Sequence, residues 1–268
     1  MHREKNNYHL TEKNLEQFKA WFTNYVHSFY VADPVLQPDL VLKEKHSRRV
    51  GLEIINIGSK LGLCDNDLRI AETMALLHDI GRFEQVTRYQ TFSDRKSVDH
   101  AEMGLLVLKQ EKALAALDEN TRELILKAIS YHNRLTIPAE ESGTCLFYSR
   151  LLRDADKLDI LALFANYYYV DARKRSSIVE LDLPDEPELS PDVLNDLQQG
   201  KAVNMRQLKF LNDFKLLQMG WVYDVNFQPT LQAIHSHGYL KKIRNTLPSL
   251  VTIDQIYTKM ISYIEGRL

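Results

Sequence analysis

Apolar residues recur at steps of three and four along nearly the whole chain while strict alternation hardly appears, which confines this sequence to an all-α fold. The clearest stripe is Leu42, His46, Val50, Ile54, Ile57 and Leu61. It predicts a helix from about Asp39 to Leu61 with His46 on the buried face. Leu15, Phe18, Phe22, Tyr25 and Val26 predict an opening helix that stops before Ala32-Asp33-Pro34. Asp65 or Asn66 can cap a third helix through Ala71, Met74, Ala75 and His78, and Gly81 would end it. Residues 82 to 97 show no period and read as a loop bordering a site. Ser97 would cap a helix carrying His100 in its first turn, and Asn120 one containing Ile125, Ile129 and His132. A further helix from about Cys145 to Tyr168 sets Phe147, Leu151, Asp154 and Leu158 on one stripe. The consecutive Tyr167 to Tyr169 cannot share a helical face, which leaves room for one to line a pocket or reach solvent, though plain packing is the expected role.

The acidic, proline-rich run LDLPDEPELSPD at 181 to 192 reads as a linker or surface crossing. On that basis residues 1–180 form a helical core and residues 181–268 a helical extension packed on it. Leu208, Leu211, Leu216, Trp221, Phe227 and the pattern Ile253, Ile256, Met260, Ile264 supply the extension's apolar faces.

Four of the nine histidines, His46, His78, His100 and His132, fall at inward or helix-end positions, and Asp79 and Asp154 share such positions. Burying imidazole or carboxylate is costly unless a hydrogen-bond partner or a metal ion compensates. For one histidine alone a satisfied core position explains the pattern; for six groups together a common site explains it better. The adjacent pair His78-Asp79 is the sharper feature, because neighbouring helical residues point about a hundred degrees apart and can serve two ions, making Asp79 a potential bridge. This donor set suits Fe, Mn, Ni, Co or Zn, and the lack of nearby thiolates argues against structural zinc.

The order His46, His78-Asp79, Asp154, in segments reading KEKHSRRV, ALLHDIGRF and LLRDADKLDI, resembles the HD superfamily of metal-dependent phosphohydrolases over about residues 40 to 160. The resemblance implies a first metal ion on the minimal His, His-Asp, Asp set, with Asp79 in the place of the bridging aspartate. VDHAEMG and ISYHN look like the additional histidine segments of members that hold two ions, which puts His100 and His132 in those slots. Two divalent ions about 3.5 to 4 Å apart follow from that reading. His46 and Asp154 complete the first, His100 and His132 the second, and His78 stands beside the bridge. No site residue is carried over to the part beyond residue 180, and His235 and His237 stay unassigned.

Near these ligands, Lys157 stands three residues after Asp154 on one helical face, and Arg82 directly follows the His78-Asp79 helix; both are candidates for contacting substrate phosphate. Arg49 and Arg150 are weaker candidates. The expected activity is phosphoester hydrolysis of a nucleotide or other small phosphorylated metabolite through metal-activated water, with Asp79 central. The alternatives are a di-iron oxygenase of the same fold and a non-catalytic nucleotide-binding sensor.

Composition narrows the partners. A net charge of -2, with Lys and Arg scattered along the chain, gives no footprint for long nucleic acid. Only two cysteines, Cys64 and Cys145, occur, too few for a disulfide framework, so a reducing cytoplasm is expected. The polar start MHREKNNYHLTEKN is no signal peptide, and no stretch reaches the roughly twenty apolar residues of a membrane span.

Overall fold

The computed structural model describes residues 8–31, 33–34 and 36–268, and among these there are helices and loops but no strand. The polar segment 1–7 and Ala32 of the expected breaker lie outside the described residues. Two compact units divide at 156/157.

The first unit, residues 1–156, holds α1 (Glu12–His27), α2 (Leu36–Lys60), α3 (Asp65–Leu77), α4 (Gly81–Tyr89), α5 (His100–Gln110), α6 (Glu119–Tyr131) and most of α7 (Gly143–Tyr167). Thr11 and Asn14 form a reciprocal capping box that starts α1. That helix buries Leu15, Phe18, Phe22 and Val26. Phe22 meets Phe83 edge to face with centroids 6.3 Å apart. Each such fully buried side chain contributes about 2 kcal/mol or more. The long α2 packs along α3, α3 touches α1 and α6, and α5 packs on α4 and α6. This arrangement brings the ends of α3 and α6, the start of α5 and the middle of α2 together.

Several boundaries differ from the sequence expectation for identifiable reasons. Asn66 does not cap α3: its amide bonds the Leu10 N–H and the Tyr8 carbonyl instead, and the N-cap position falls to Cys64. The caps of α5 and α6 are Asp99 and Asp118, whose carboxylates accept backbone N–H bonds, rather than Ser97 and Asn120. Gly81 opens α4 instead of closing α3. Its reason to be glycine is close approach, since a Cβ there would stand 2.2 Å from the His100 carbonyl oxygen and 2.5 Å from the Gly104 nitrogen. The expected loop 82 to 97 is therefore helical as far as Tyr89, with Phe83 and Val86 buried on α4. The remaining loop is bound to Gln85, whose buried amide donates to Asp94 Oδ1, Ser97 Oγ and the Val98 carbonyl at 2.8–2.9 Å.

The second unit, residues 157–268, contains the end of α7 together with α8 (Pro191–Gln198), α9 (Leu211–Gly220), α10 (Gln228–Ser236), α11 (Tyr239–Arg244) and α12 (Val251–Glu265). The division thus falls within α7, ahead of the boundary read at 180/181. The proline-rich run is held inside this unit: Leu211 N–H bonds the Pro184 carbonyl, Asn212 the Glu186 carbonyl, and Ser190 is gripped by buried Asp213. Of the three tyrosines, Tyr168 is buried and bonds Gln218, Tyr167 bonds Ser176, and Tyr169 is exposed. Among the described residues no helix is long and apolar enough to cross a membrane.

Candidate metal centre

Four imidazoles and two carboxylates converge within the first unit. His46 comes from the inner face of α2, His78 and Asp79 from the turn after α3, His100 from the first residue of α5, His132 from the end of α6, and Asp156 from α7. All six are buried except Asp156, whose side chain keeps 16% exposure.

Backbone geometry fixes which histidine nitrogen faces the centre. Nδ1 of His78 lies 2.7 Å from the Ala75 carbonyl, and Nδ1 of His132 lies 2.7 Å from the Ile129 carbonyl. A carbonyl only accepts, so Nδ1 carries the proton in each and Nε2 presents the inner edge of the ring. His100 is oriented the same way by a carboxylate, Asp94 Oδ2, 2.8 Å from its Nδ1. Such backing by carbonyl or carboxylate is what holds a metal-ligating histidine in tautomer and direction.

Asp79 is the hub. Its Oδ2 lies 2.7 Å from Lys43 Nζ, 3.6 Å from His46 Nε2 and 3.7 Å from His78 Nε2. Its Oδ1 lies 3.3 Å from His100 Nε2, 3.6 Å from Arg82 Nε and 3.7 Å from His132 Nε2. Each carboxylate oxygen thus faces two histidines and one cationic side chain. Asp156 Oδ1 adds a second carboxylate on the Oδ2 side, 3.1 Å from His46 Nε2 and 3.6 Å from His78 Nε2.

These donors fit a cation better than they fit one another. His78 Nε2 and Asp156 Oδ1 are buried without a hydrogen-bond partner. Buried polar atoms are rarely left in that state, and a bound ion is one of the standard reasons for it. His100 Nε2 and His132 Nε2 face each other at 2.9 Å. With both protons on Nδ1, that contact sets two lone pairs together unless a cation lies beside them. One donor atom from each of His46, His78 and Asp156 comes within 4.8 Å of the others, and the same holds for His78, Asp79 and His132. A third group, Asp94, Asp99 and His100, has exposed or half-exposed carboxylates already used to back His100 and cap α5.

Electrostatics follow the same division. Burial alone would raise the carboxyls of Asp79 and Asp156, yet both are held well below the usual range, Asp79 mainly by Lys43 and His78, Asp156 by His46 and His78. Burial lowers His78, but the neighbouring Asp79 and Asp156 carboxylates outweigh it and the group ends above its ordinary value. His100 goes the other way, to about 4, because burial and the nearby Arg82 cation outweigh Asp94 and Asp79.

The structure corrects the acidic ligand expected from α7. Asp154 is fully buried, but among the described residues it belongs to none of the converging donor groups; Asp156 does. Residues two apart on a helix point about 200° from each other, so only one of the pair can face the centre. The stripe argument failed because α7 is buried all round here: Leu151, Leu152, Arg153, Asp154 and Ala155 are each buried, and periodicity no longer marks an inner face. Lys157 is likewise engaged elsewhere, its Nζ 2.8 Å from Asp224 Oδ2 inside the second unit. Arg82 does reach the centre. Its Nη1 is fixed by Gln85, the Phe92 carbonyl and Asp94, while Nε faces Asp79 with no hydrogen bond of its own. Arg49 is half-buried on α2 and Arg150 is exposed on α7. His235, on α10, lies 3.5 Å from Glu265. Lys43 was missed by sequence reading, though it stands three residues before His46 and so on the same face of α2.

Residues 44–161 match the family model of the HD domain, from Glu44 in α2 to Leu161 in α7. With the helical architecture and the His-Asp clusters, this stretch is similar to the HD domain superfamily, which includes metal-dependent phosphohydrolases. No match to the chain was found among the curated proteins or among the solved structures.

Proposed function

We propose that this chain hydrolyses a phosphoester in a nucleotide or another small phosphorylated metabolite, with two divalent transition-metal ions in the centre described above. His46, His78, Asp156 and one oxygen of Asp79 would hold the first ion; the other oxygen of Asp79 with His100 and His132 would hold the second. Such ions supply an activated water and neutralise charge on the phosphoryl oxygens. The chain's own residues do the rest. Ala75, Ile129 and Asp94 keep the three Nε2 edges pointed inward. Arg82, clamped by three acceptors, presents a positive edge that needs no reorganisation when an anion arrives.

The observation that carries the reading is Asp79 standing between two histidine pairs with a cationic side chain on each of its oxygens. A di-iron oxygenase could use the same imidazoles, but two cations beside the bridge favour an anionic substrate. The deciding experiment is a screen of phosphorylated metabolites with protein loaded separately with manganese, iron, nickel or cobalt, run with and without oxygen. Phosphate release that is indifferent to oxygen supports the proposal. Oxygen uptake without phosphate release overturns it.

A further inference from the structure

Lys43 and Arg82 approach the centre from different helices, α2 and α4, and meet the same aromatic ring. Lys43 Nζ lies 5.2 Å and the Arg82 guanidinium carbon 5.7 Å from the centroid of Phe92, which is itself buried in the loop before α5. Each cation touches a different oxygen of Asp79, at 2.7 Å for Lys43 and 3.6 Å for Arg82. Both side chains retain 14% exposure, whereas those of His46, His78, His100 and His132 are at most 4% exposed. The two cations are therefore more accessible to solvent than the four histidines around Asp79.

A lysine and an arginine held this close repel each other, and Asp79 is the carboxylate they share. Anything that draws on the charge of Asp79 leaves both cations with less compensation. We infer that Lys43 and Arg82, spaced by Phe92, are the receiver for the phosphoryl anion of the substrate, with Lys43 moving from Asp79 to the anion while Arg82 keeps its place. The inference rests on the phosphohydrolase reading and adds the residues that recognise the phosphate. Arg82 is the rigid member and Lys43 the movable one, because the ammonium is a point charge on a flexible stem while the guanidinium is already tied to three acceptors.

The test uses the full chain loaded with manganese and titrated with inorganic phosphate by calorimetry, with manganese content measured on the same samples. Loss of one charge-assisted contact corresponds to about a tenfold or larger weakening. Lys43→Met should weaken phosphate by that much while keeping its manganese and its helical content, and Lys43→Arg should restore most of the affinity. Phosphate binding in Lys43→Met equal to wild type overturns the receiver and leaves the hydrolase reading standing. Loss of manganese in Lys43→Met also overturns it, since Lys43 would then act on the metal centre instead. Failure of the manganese-loaded wild type to bind phosphate overturns both.

Discussion

The Nε2 atoms of His100 and His132 face each other at 2.9 Å, and both Nδ1 atoms are committed to acceptors, Asp94 and the Ile129 carbonyl. Both Nε2 atoms are thus turned inward toward one point, the arrangement a shared cation would use. His100→Ala or His132→Ala should then remove about one of two metal equivalents, whereas Asp79→Asn should disturb both. Elemental analysis of protein purified without chelators reads the outcome. A wild type that never exceeds one equivalent with excess manganese or iron would end the two-ion reading.

The acidic ligand from α7 can be decided by a matched pair of variants. Asp156→Asn should strip metal from the His46 and His78 side, where its carboxylate is one of the converging donors. Asp154→Asn, at a fully buried position, should lower the melting temperature and keep the metal. The opposite pattern of metal loss would return Asp154 to the site.

Legibility in the sequence tracked how much each element depends on its own residues. The stripe on α2 placed His46 inward because that helix is buried on one face only, and the His78-Asp79 pair was visible as a dipeptide. Where contacts come from distant segments, local patterns gave less. Asn66 looked like a cap but is claimed by Tyr8 and Leu10, and Gly81 looked like a helix stop but is set by the backbone of α5. Asp156 was hidden because a helix buried on all sides carries no periodic signal. Lys157 stood on an inviting face, yet its partner Asp224 lies 67 positions further on, a distance that no local pattern spans.

Gly81 offers a test of how tightly the fold positions His100. An alanine there gains helix propensity of at most about 1 kcal/mol. Against that, its methyl would fall 2.2 Å from the His100 carbonyl and 2.5 Å from the Gly104 nitrogen, both backbone atoms that cannot turn aside. Overpacking of this kind costs about 1–3 kcal/mol or more, so Gly81→Ala should melt earlier and bind the second ion weakly. Gly104→Ala, whose nearest neighbours would be at 3.3 Å, should be milder on both counts. Equal effects, measured by thermal melts and metal content, would mean that the α4–α5 contact does not set the position of His100.

The two sides of the centre should answer differently to pH. In metal-free protein His100 titrates near 4 against an ordinary 6.5, so between those values the unfolded chain takes up a proton that the folded chain refuses. That contribution to stability is present above pH 6.5 and is lost as pH falls toward 4. His78 lies above 6.5 in the folded protein, so its contribution has the reverse sign: present below 6.5 and lost as pH rises through the folded value. Binding a metal ion requires neutral imidazole, and the consequences separate the sites. An ion on His46, His78 and Asp156 must expel the His78 proton, so affinity there should rise with pH, by up to about tenfold per unit while His78 remains protonated. His100 is already deprotonated above about pH 5 and puts no such proton in competition with the ion it shares with His132. Lowering the pH from 8 to 6 should therefore release the His78-side ion first. Calorimetric titration with manganese in buffers of differing ionisation enthalpy measures the protons directly. The His132→Ala variant, which keeps only the His78 side, should show proton release near neutral pH, and His46→Ala, which leaves the His100 side, should show less. Equal release from both variants would refute the assignment of the proton to His78.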